Sequence, residues 1–310
     1  VPWFNAPPGT DQELGIFWLA SLDRGDKLFD RVKTYTHGDR FPALAGHKIF
    51  TSHYHIEHAT RLIEKREKSK KTGVPASLKK PDFVDVFKKS GIQIVHLAEF
   101  HNRLGRLRRD PVKALPLLKT LHEECARLSD NGFLLLPGEE PNVHLGGHWI
   151  SFFPRPVMWV LNRAKDKPFS EEHPRFGRIY HVGSPEDVLK LMEREGGLMW
   201  AAHPRIKSST GYPDLYRDKP FFKSDRYLGG AWKAMPADLS RPRLGWRVLD
   251  LLDDTSNWGA KKYVVGEVDI FQVDRTTEFY AHANVNYLRL DRIPRFEDGW
   301  APVLKALRDG

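Results

Sequence analysis

From residue 47 onward, short apolar runs alternate with stretches of helical patterning, and this alternation narrows the choice of fold more than any other feature. The runs cover residues 47–52, 92–98, 133–137, 148–153, 198–202 and 262–268. Between them lie helical patterns at 56–68, at 81–90 (opened by Pro81 and stopped by Gly91), at 111–129, at 185–195 ahead of Gly196 and Gly197, and at 244–253. Runs this apolar suit strands covered on both faces, and helices between them suit a parallel sheet. In a chain of 310 residues, the expected architecture is a closed or nearly closed α/β barrel. Residues 1–46 break the pattern. Here 13–22 and 26–34 read as helices, giving an N-terminal extension packed on the barrel, with residues 47–310 forming the barrel itself.

No apolar run approaches the roughly 18 residues of a membrane-spanning helix, so no membrane partner is expected. Cys125 is the only cysteine. It cannot form an internal disulfide, and it reads as a core residue of the 111–129 helix. The net charge of +9 favours anionic ligands without identifying one. The EKREKSKK run at 64–71 reads as a solvated helix end. No helix-turn-helix, OB or zinc-finger pattern is present, so nothing supports a nucleic-acid partner beyond analogy. The first residue, Val1, is not an initiator Met, and the compartment, cytoplasmic or periplasmic, stays open.

The fourteen histidines are placed unevenly against the strands. His53 and His55 follow the first run, Glu99 and His101 the second, and Glu139 and Glu140 the third. His144 and His148 come next, His203 follows 198–202, and Asp269 follows 262–268. In a barrel the carboxyl ends of the strands converge on one mouth, so separate elements deliver imidazole and carboxylate to one rim. Residues i and i+2 of an extended segment share a face, which lets His53 and His55 aim at one point. Adjacent residues face opposite ways, so only one of Glu139 and Glu140 can enter the mouth. Imidazole with carboxylate suits zinc, manganese or iron, and the number of candidate ligands exceeds one tetrahedral site. Such ions activate water and clamp the oxygens of a displacement. His37, His47, His122 and His173 read as surface or packing residues, His96 as a core histidine within its strand, and His58 as a helix-surface residue.

The ordered series TSHYHIEH (51–58), HLAEFHN (96–102), LLPGEEPN (135–142), HLGGHW (144–149), GLMWAAHPR (197–205) and GEVDIF (266–271) resembles the polymerase-and-histidinol-phosphatase (PHP) superfamily over roughly residues 47–275. The resemblance implies a distorted (β/α)7 TIM-like barrel. It also implies a metal set of His53, His55, His101, Glu140, His148, His203 and Asp269, with His144 the competitor of His148. It implies hydrolysis of a phosphoester by metal-activated water. The sequence departs from the family pattern twice. Glu99-Phe100-His101 lacks the usual Asp directly before the second-strand histidine, and Phe271 stands where the family has a closing ligand histidine. A two-metal site is therefore expected, with the third metal weak or absent unless His282 substitutes. Arg103, with Arg106, Arg108 and Arg109, follows His101, and Arg205 with Lys207 follows His203. A guanidinium suits bidentate contact with phosphate, so Arg103 and Arg205 are the expected catalytic contacts to a small anionic substrate.

Two other readings stay open. On a PHP-like barrel the substrate could instead be a carbamate or carboxylester, whereas an amidohydrolase-like barrel would use His53, His55, His148, His203 and Asp269. It would leave Glu140 unexplained, and no bridging lysine is visible in the sequence. A non-catalytic binding protein with a degenerate site would explain Phe271.

Overall fold

The computed structural model describes residues 10–18, 28–36, 40–56, 81–99, 114–205, 213–233, 246–271 and 283–310. The helix expected at 56–68, His101, Arg103 and His282 lie outside the described residues.

The main sheet is laid down in the order in which the apolar runs predict it. Strand β3 (His47–Tyr54) pairs in parallel with β4 (Ile94–Leu97), and β4 with β5 (Leu134–Leu136). On its other side β3 pairs in parallel with β13 (Tyr263–Ile270), which continues to β12 (Tyr227–Trp232) and β11 (Leu198–Ala201). Strand β7 (Trp149–Phe152) pairs with β11 and with the short β6 (Gly138–Glu139). The segment carrying β5 and β6 closes the ring. Beyond β4, Glu99 bridges to Glu139, with Glu99 N donating to Gly138 O at 3.1 Å and Glu140 N donating to Glu99 O at 2.8 Å. The result is a distorted, nearly closed TIM-like α/β barrel with seven positions around it, the architecture that the PHP resemblance implies.

Strand β7 runs antiparallel to both neighbours, against the expectation of a wholly parallel sheet. The cause is the connection. Only residues 140–148 separate β6 from β7, too few for the helical crossover that a parallel return requires. After β7 the chain leaves the barrel to form a separate three-stranded sheet from β8 (Met158–Leu161), β9 (Ser170–His173) and β10 (Gly177–Val182). At the opposite end β14 (Asn286–Arg289) pairs antiparallel with the start of β3.

Helices α1 (Asp82–Lys89), α2 (Leu115–Leu128), α3 (Pro185–Glu195), α4 (Pro220–Lys223) and α5 (Trp246–Asn257) accompany the strands, and α6 (Ala301–Asp309) ends the chain. The boundaries of α3 follow from local chemistry. The Ser184 side chain caps the Asp187 N–H at 3.2 Å, Pro185 opens the first turn, and Gly196 closes the helix at φ 67°. Helix α2 buries Leu118, Leu121, Cys125 and Leu128 along one stripe against the outside of the sheet. The alternate strand residues Phe50, Ile94, Leu136, Ile150, Trp200 and Val265 fill the barrel interior. Val303, Leu304 and Leu307 of α6 join that interior cluster and plug the end where the strands begin. Among the described residues no helix is long and apolar enough to cross a membrane.

Residues 10–36 correct the sequence reading. In place of the two helices expected at 13–22 and 26–34, β1 (Thr10–Trp18) and β2 (Leu28–Thr36) form an antiparallel pair registered from Thr10↔Thr36 to Trp18↔Leu28. The run Ile16, Phe17, Trp18 and the alternating Val32, Thr34 and Thr36 carry the β-branched and aromatic residues that favour strands. Residues 40–46 lead onto the barrel, where Phe41 N donates to Ser90 O and the Tyr287 hydroxyl donates to Pro42 O.

Gly138 is needed where the ring closes. A Cβ there would sit 2.0 Å from His96 Nε2 and 2.6 Å from Leu97 O. Because Leu97 O is backbone, it cannot move aside. Gly138→Ala is expected to destabilise the fold by about 2 kcal/mol or more, read as a lower urea midpoint at an unchanged m-value.

Candidate metal centre

Regular alternation alone would not build this site. On β3, Phe50 faces the interior and Ile49 the helices, so a regular strand would turn His53 outward. Instead His53 takes φ 66°, the pairing register shifts between Thr51 and Tyr54, and Tyr54 joins the outer cluster. His53 and His55 are thereby both brought inward. On β11, Trp200 and Ala202 face the interior, and His203 at φ 29° turns in after Ala202. Asp269 takes φ 44° beside a register shift in β13. Non-glycine residues adopt positive φ rarely and at a cost of about 1–3 kcal/mol each, and here three such residues meet at one point.

Glu267 ties two of them, His53 and His203, together. It is fully buried. One carboxylate oxygen lies 2.6 Å from His53 Nδ1, and the other accepts the His203 backbone N–H at 2.9 Å. With Nδ1 engaged, His53 presents Nε2 to the mouth, 3.2 Å from Glu140 Oε2 and 3.4 Å from Asp269 Oδ1. His55 Nε2 lies 3.3 Å from Asp269 Oδ1 and 3.5 Å from Glu140 Oε2. On the other side of Glu140, Oε1 is 2.7 Å from His148 Nδ1 and 3.2 Å from His203 Nε2. His203 Nε2 is also 3.5 Å from Asp269 Oδ2. The Lys233 ammonium, at the end of β12, contacts that same Asp269 oxygen.

The structure thus brings together six of the expected ligands: His53, His55, Glu140, His148, His203 and Asp269. The carboxylate at the centre is that of Glu140 rather than Glu139, and His148 rather than His144 approaches it. Arg205 has its guanidinium on Asp254 of α5, at 2.7 Å. The Phe271 ring stacks on His55, centroids 4.3 Å apart and 10° from parallel, filling that side of the mouth with an apolar surface. Two residues of the cluster have no place in the sequence reading. Glu267 shares its strand face with Asp269 two residues on, a signal legible once the face is known. Lys233 follows a strand whose Gly229-Gly230 pair hides it in the sequence.

The electrostatics are those of carboxylates packed closely among imidazoles. Burial opposes protonation of His53, but Glu140, Glu267 and Asp269 outweigh it and hold its pKa well above the ordinary value. Burial would raise the pKa of Glu140. His53, with hydrogen bonds from His148 and His203, instead drives it far below the carboxylate range. Asp269 is lowered likewise by His53, His55 and Lys233 against the same opposition, whereas burial lowers His55. His53 Nε2 and Glu140 Oε2 form a buried ion pair at 3.2 Å in the middle of the cluster. Potential ligand atoms lie within 4.8 Å of one another in three groups: His53, His203 and Glu267; His53, His55 and Asp269; and Glu140, His148 and His203. Buried imidazole and carboxylate in this arrangement fit divalent ions that accept nitrogen and oxygen ligands.

Fold and cluster together define a TIM-like barrel with a histidine–carboxylate cluster, compatible with a metal site, at the carboxyl ends of its strands. No protein-family model and no curated protein matches the chain. Two solved structures are similar to it. One is a two-domain protein from Bacteroides vulgatus containing a predicted PHP-like metal-dependent phosphoesterase. It is 15% identical over 86% of this chain and 65% of that one, with a TM-score of 0.45. The other is PsfC from Pseudomonas syringae, 13% identical over 73% of this chain and 77% of that one, with a TM-score of 0.42. The chain spans just under two thirds of the length of the Bacteroides protein.

Two outcomes are expected from this geometry. Glu267→Ala leaves the His53 and His203 donors unanswered in a dry interior and should cost about 3–5 kcal/mol of stability, measured by chemical denaturation. The second concerns His96, which is buried against Phe152 and Trp200 and donates from Nε2 to Ser151 O at 3.0 Å. Burial lowers its pKa from 6.5 to about 3. The unfolded chain therefore binds a proton that the folded chain refuses. The resulting stability is fully present above pH 6.5 and is lost as pH falls towards 3, at up to about 1.4 kcal/mol per pH unit. In His96→Gln the slope of stability against pH between 6 and 4 should flatten by the equivalent of one proton. The slope is the readout because the variant also changes packing.

Proposed function

We propose that this chain is a metal-dependent hydrolase acting on a small phosphoester, with two divalent ions held between Glu140 and the surrounding imidazoles. The observation that carries this reading is the buried convergence of His53, His55, His148 and His203 on Glu140 and Asp269. Such an array is costly to bury unless cations complete it. His53, His55 and Asp269 would hold one ion, and Glu140, His148 and His203 the other. Bound there, divalent zinc, manganese or iron would supply Lewis-acid charge and activate water at neutral pH.

The chain's own residues set the conditions for that chemistry. Glu267 fixes the His53 tautomer, as carboxylates behind metal-binding histidines commonly do. Phe271 excludes water beside His55. Arg205, two residues beyond His203 and held by Asp254, is proposed with Arg103 as a contact for the phosphoryl oxygens.

Lys233 gives a second reading its support. A lysine at a strand end beside the final Asp is what an amidohydrolase-like barrel would use, and carboxylester or carbamate substrates would then replace phosphoesters. Parallel assays on p-nitrophenyl phosphate, bis-p-nitrophenyl phosphate and p-nitrophenyl acetate separate the two. We expect chelator-sensitive turnover of a phosphate substrate, restored by zinc or manganese. Purified full-length chain should contain close to two transition-metal ions, and His53→Ala with His55→Ala should remove at least one and reduce turnover by two orders of magnitude or more. Undiminished metal in that double variant, by elemental analysis, would rule the assignment out.

A further inference from the structure

Lys233 is buried immediately after β12, and its ammonium divides the Asp269 carboxylate with the histidines. It contacts Oδ2 and lies 3.4 Å from the Asp269 carbonyl oxygen, while Oδ1 faces His53 and His55. Three carboxylates meet in the cluster, those of the buried Glu140 and Glu267 and of the partly exposed Asp269. Among the described residues Lys233 is the one lysine or arginine paired with any of them.

We propose that the Lys233 ammonium is a built-in cation that competes with bound metal for Asp269, stabilising the metal-free site and weakening metal binding at that end of the cluster. The inference rests on the metal-centre reading above and adds a control on occupancy that a set of ligands alone would not have. Asp269 is a single negative charge with two oxygens. An ion bound on Oδ1 by His53 and His55 must share that charge with an ammonium held on the same carboxylate, in an interior where like charges repel strongly. Without metal the sign reverses, because the ammonium then adds to the compensation that the neighbouring histidines give the Asp269 carboxylate. The coupling is reciprocal, so the part of the Lys233 contribution to the apo fold that the ion displaces is withdrawn from metal affinity. Phe271 acts in the same direction at the other edge by covering His55 with a ring that offers no ligand. Both features hold the number of ions down, one by charge and one by shape.

The test uses the full chain stripped with chelator, titrated with Zn2+ and separately with Mn2+ against a chromophoric competitor, with melting of the stripped protein measured in parallel. Lys233→Met should bind at least one ion roughly tenfold more tightly than wild type, within the usual range of coupling between sites. Its stripped form should melt roughly 5 °C lower or more. Lys233→Arg keeps the charge and should track wild type in affinity. If Lys233→Met does not fold, Lys233→Gln removes the charge while keeping a hydrogen-bond donor, and should show the same tightening. Unchanged or weaker metal binding in the charge-removing variants would overturn the proposal, the weaker case making Lys233 a ligand or a support for one. A wild-type chain that takes up no metal overturns the metal-centre reading itself, an outcome distinct from a wild type that binds normally and a variant that binds no better.

Discussion

The buried Glu267 carboxylate is the tie on which the centre depends. Its two oxygens span from β13 to the imidazole of His53 on β3 and to the backbone of His203 at the end of β11. Both partners are held in left-handed backbone conformations that disfavour residues with a Cβ. A surface carboxylate could not do this, because water would compete for both donors. In the closed barrel the alternative to each hydrogen bond is an unsatisfied group in a dry interior, so the strained geometry is the best one available. The barrel supplies the dryness, Glu267 supplies the acceptors, and the histidines face the mouth because both are present.

Closure of the barrel is equally economical in its parts. The β5–β6 segment pairs with β4 on one side and β7 on the other, so a single stretch of chain links the two halves of the sheet. Gly138 lets that stretch pass against His96, and the next two residues are Glu139 and Glu140. The carboxylate at the middle of the cluster is thus delivered by the same turn that joins the ring. The short return to β7 then brings His148 back to it within eight residues.

Much of this was legible in the sequence. The strands through β3, β4, β5, β7, β11 and β13 announce themselves as apolar runs because they are covered on both faces, and the strand-end histidines and acids stand out against them. Strand β12 does not, since YLGGAW has two glycines where side chains would signal a strand, and the close approach of Tyr263 O and Pro204 to those glycines is visible only in three dimensions. Lys233 was lost with it. Glu267 was hidden differently, inside an apolar run where one acid reads as an interruption. The left-handed residues have no usable sequence signature, because only a small minority of histidines and aspartates adopt that conformation. The three-stranded sheet of β8, β9 and β10 is too polar on β9 to show as a strand pattern, and in β1 Ile16, Phe17 and Trp18 run together without alternating, a pattern that a buried helix shares.

The left-handed backbone at His53, His203 and Asp269 also bears on how such a centre persists over generations. Glycine or asparagine would relax the chain at each of these positions while removing or altering a side chain of the cluster. Substitutions of that kind would let the barrel gain stability as the cluster was lost, so local comfort of the backbone and completeness of the cluster trade against each other at three points.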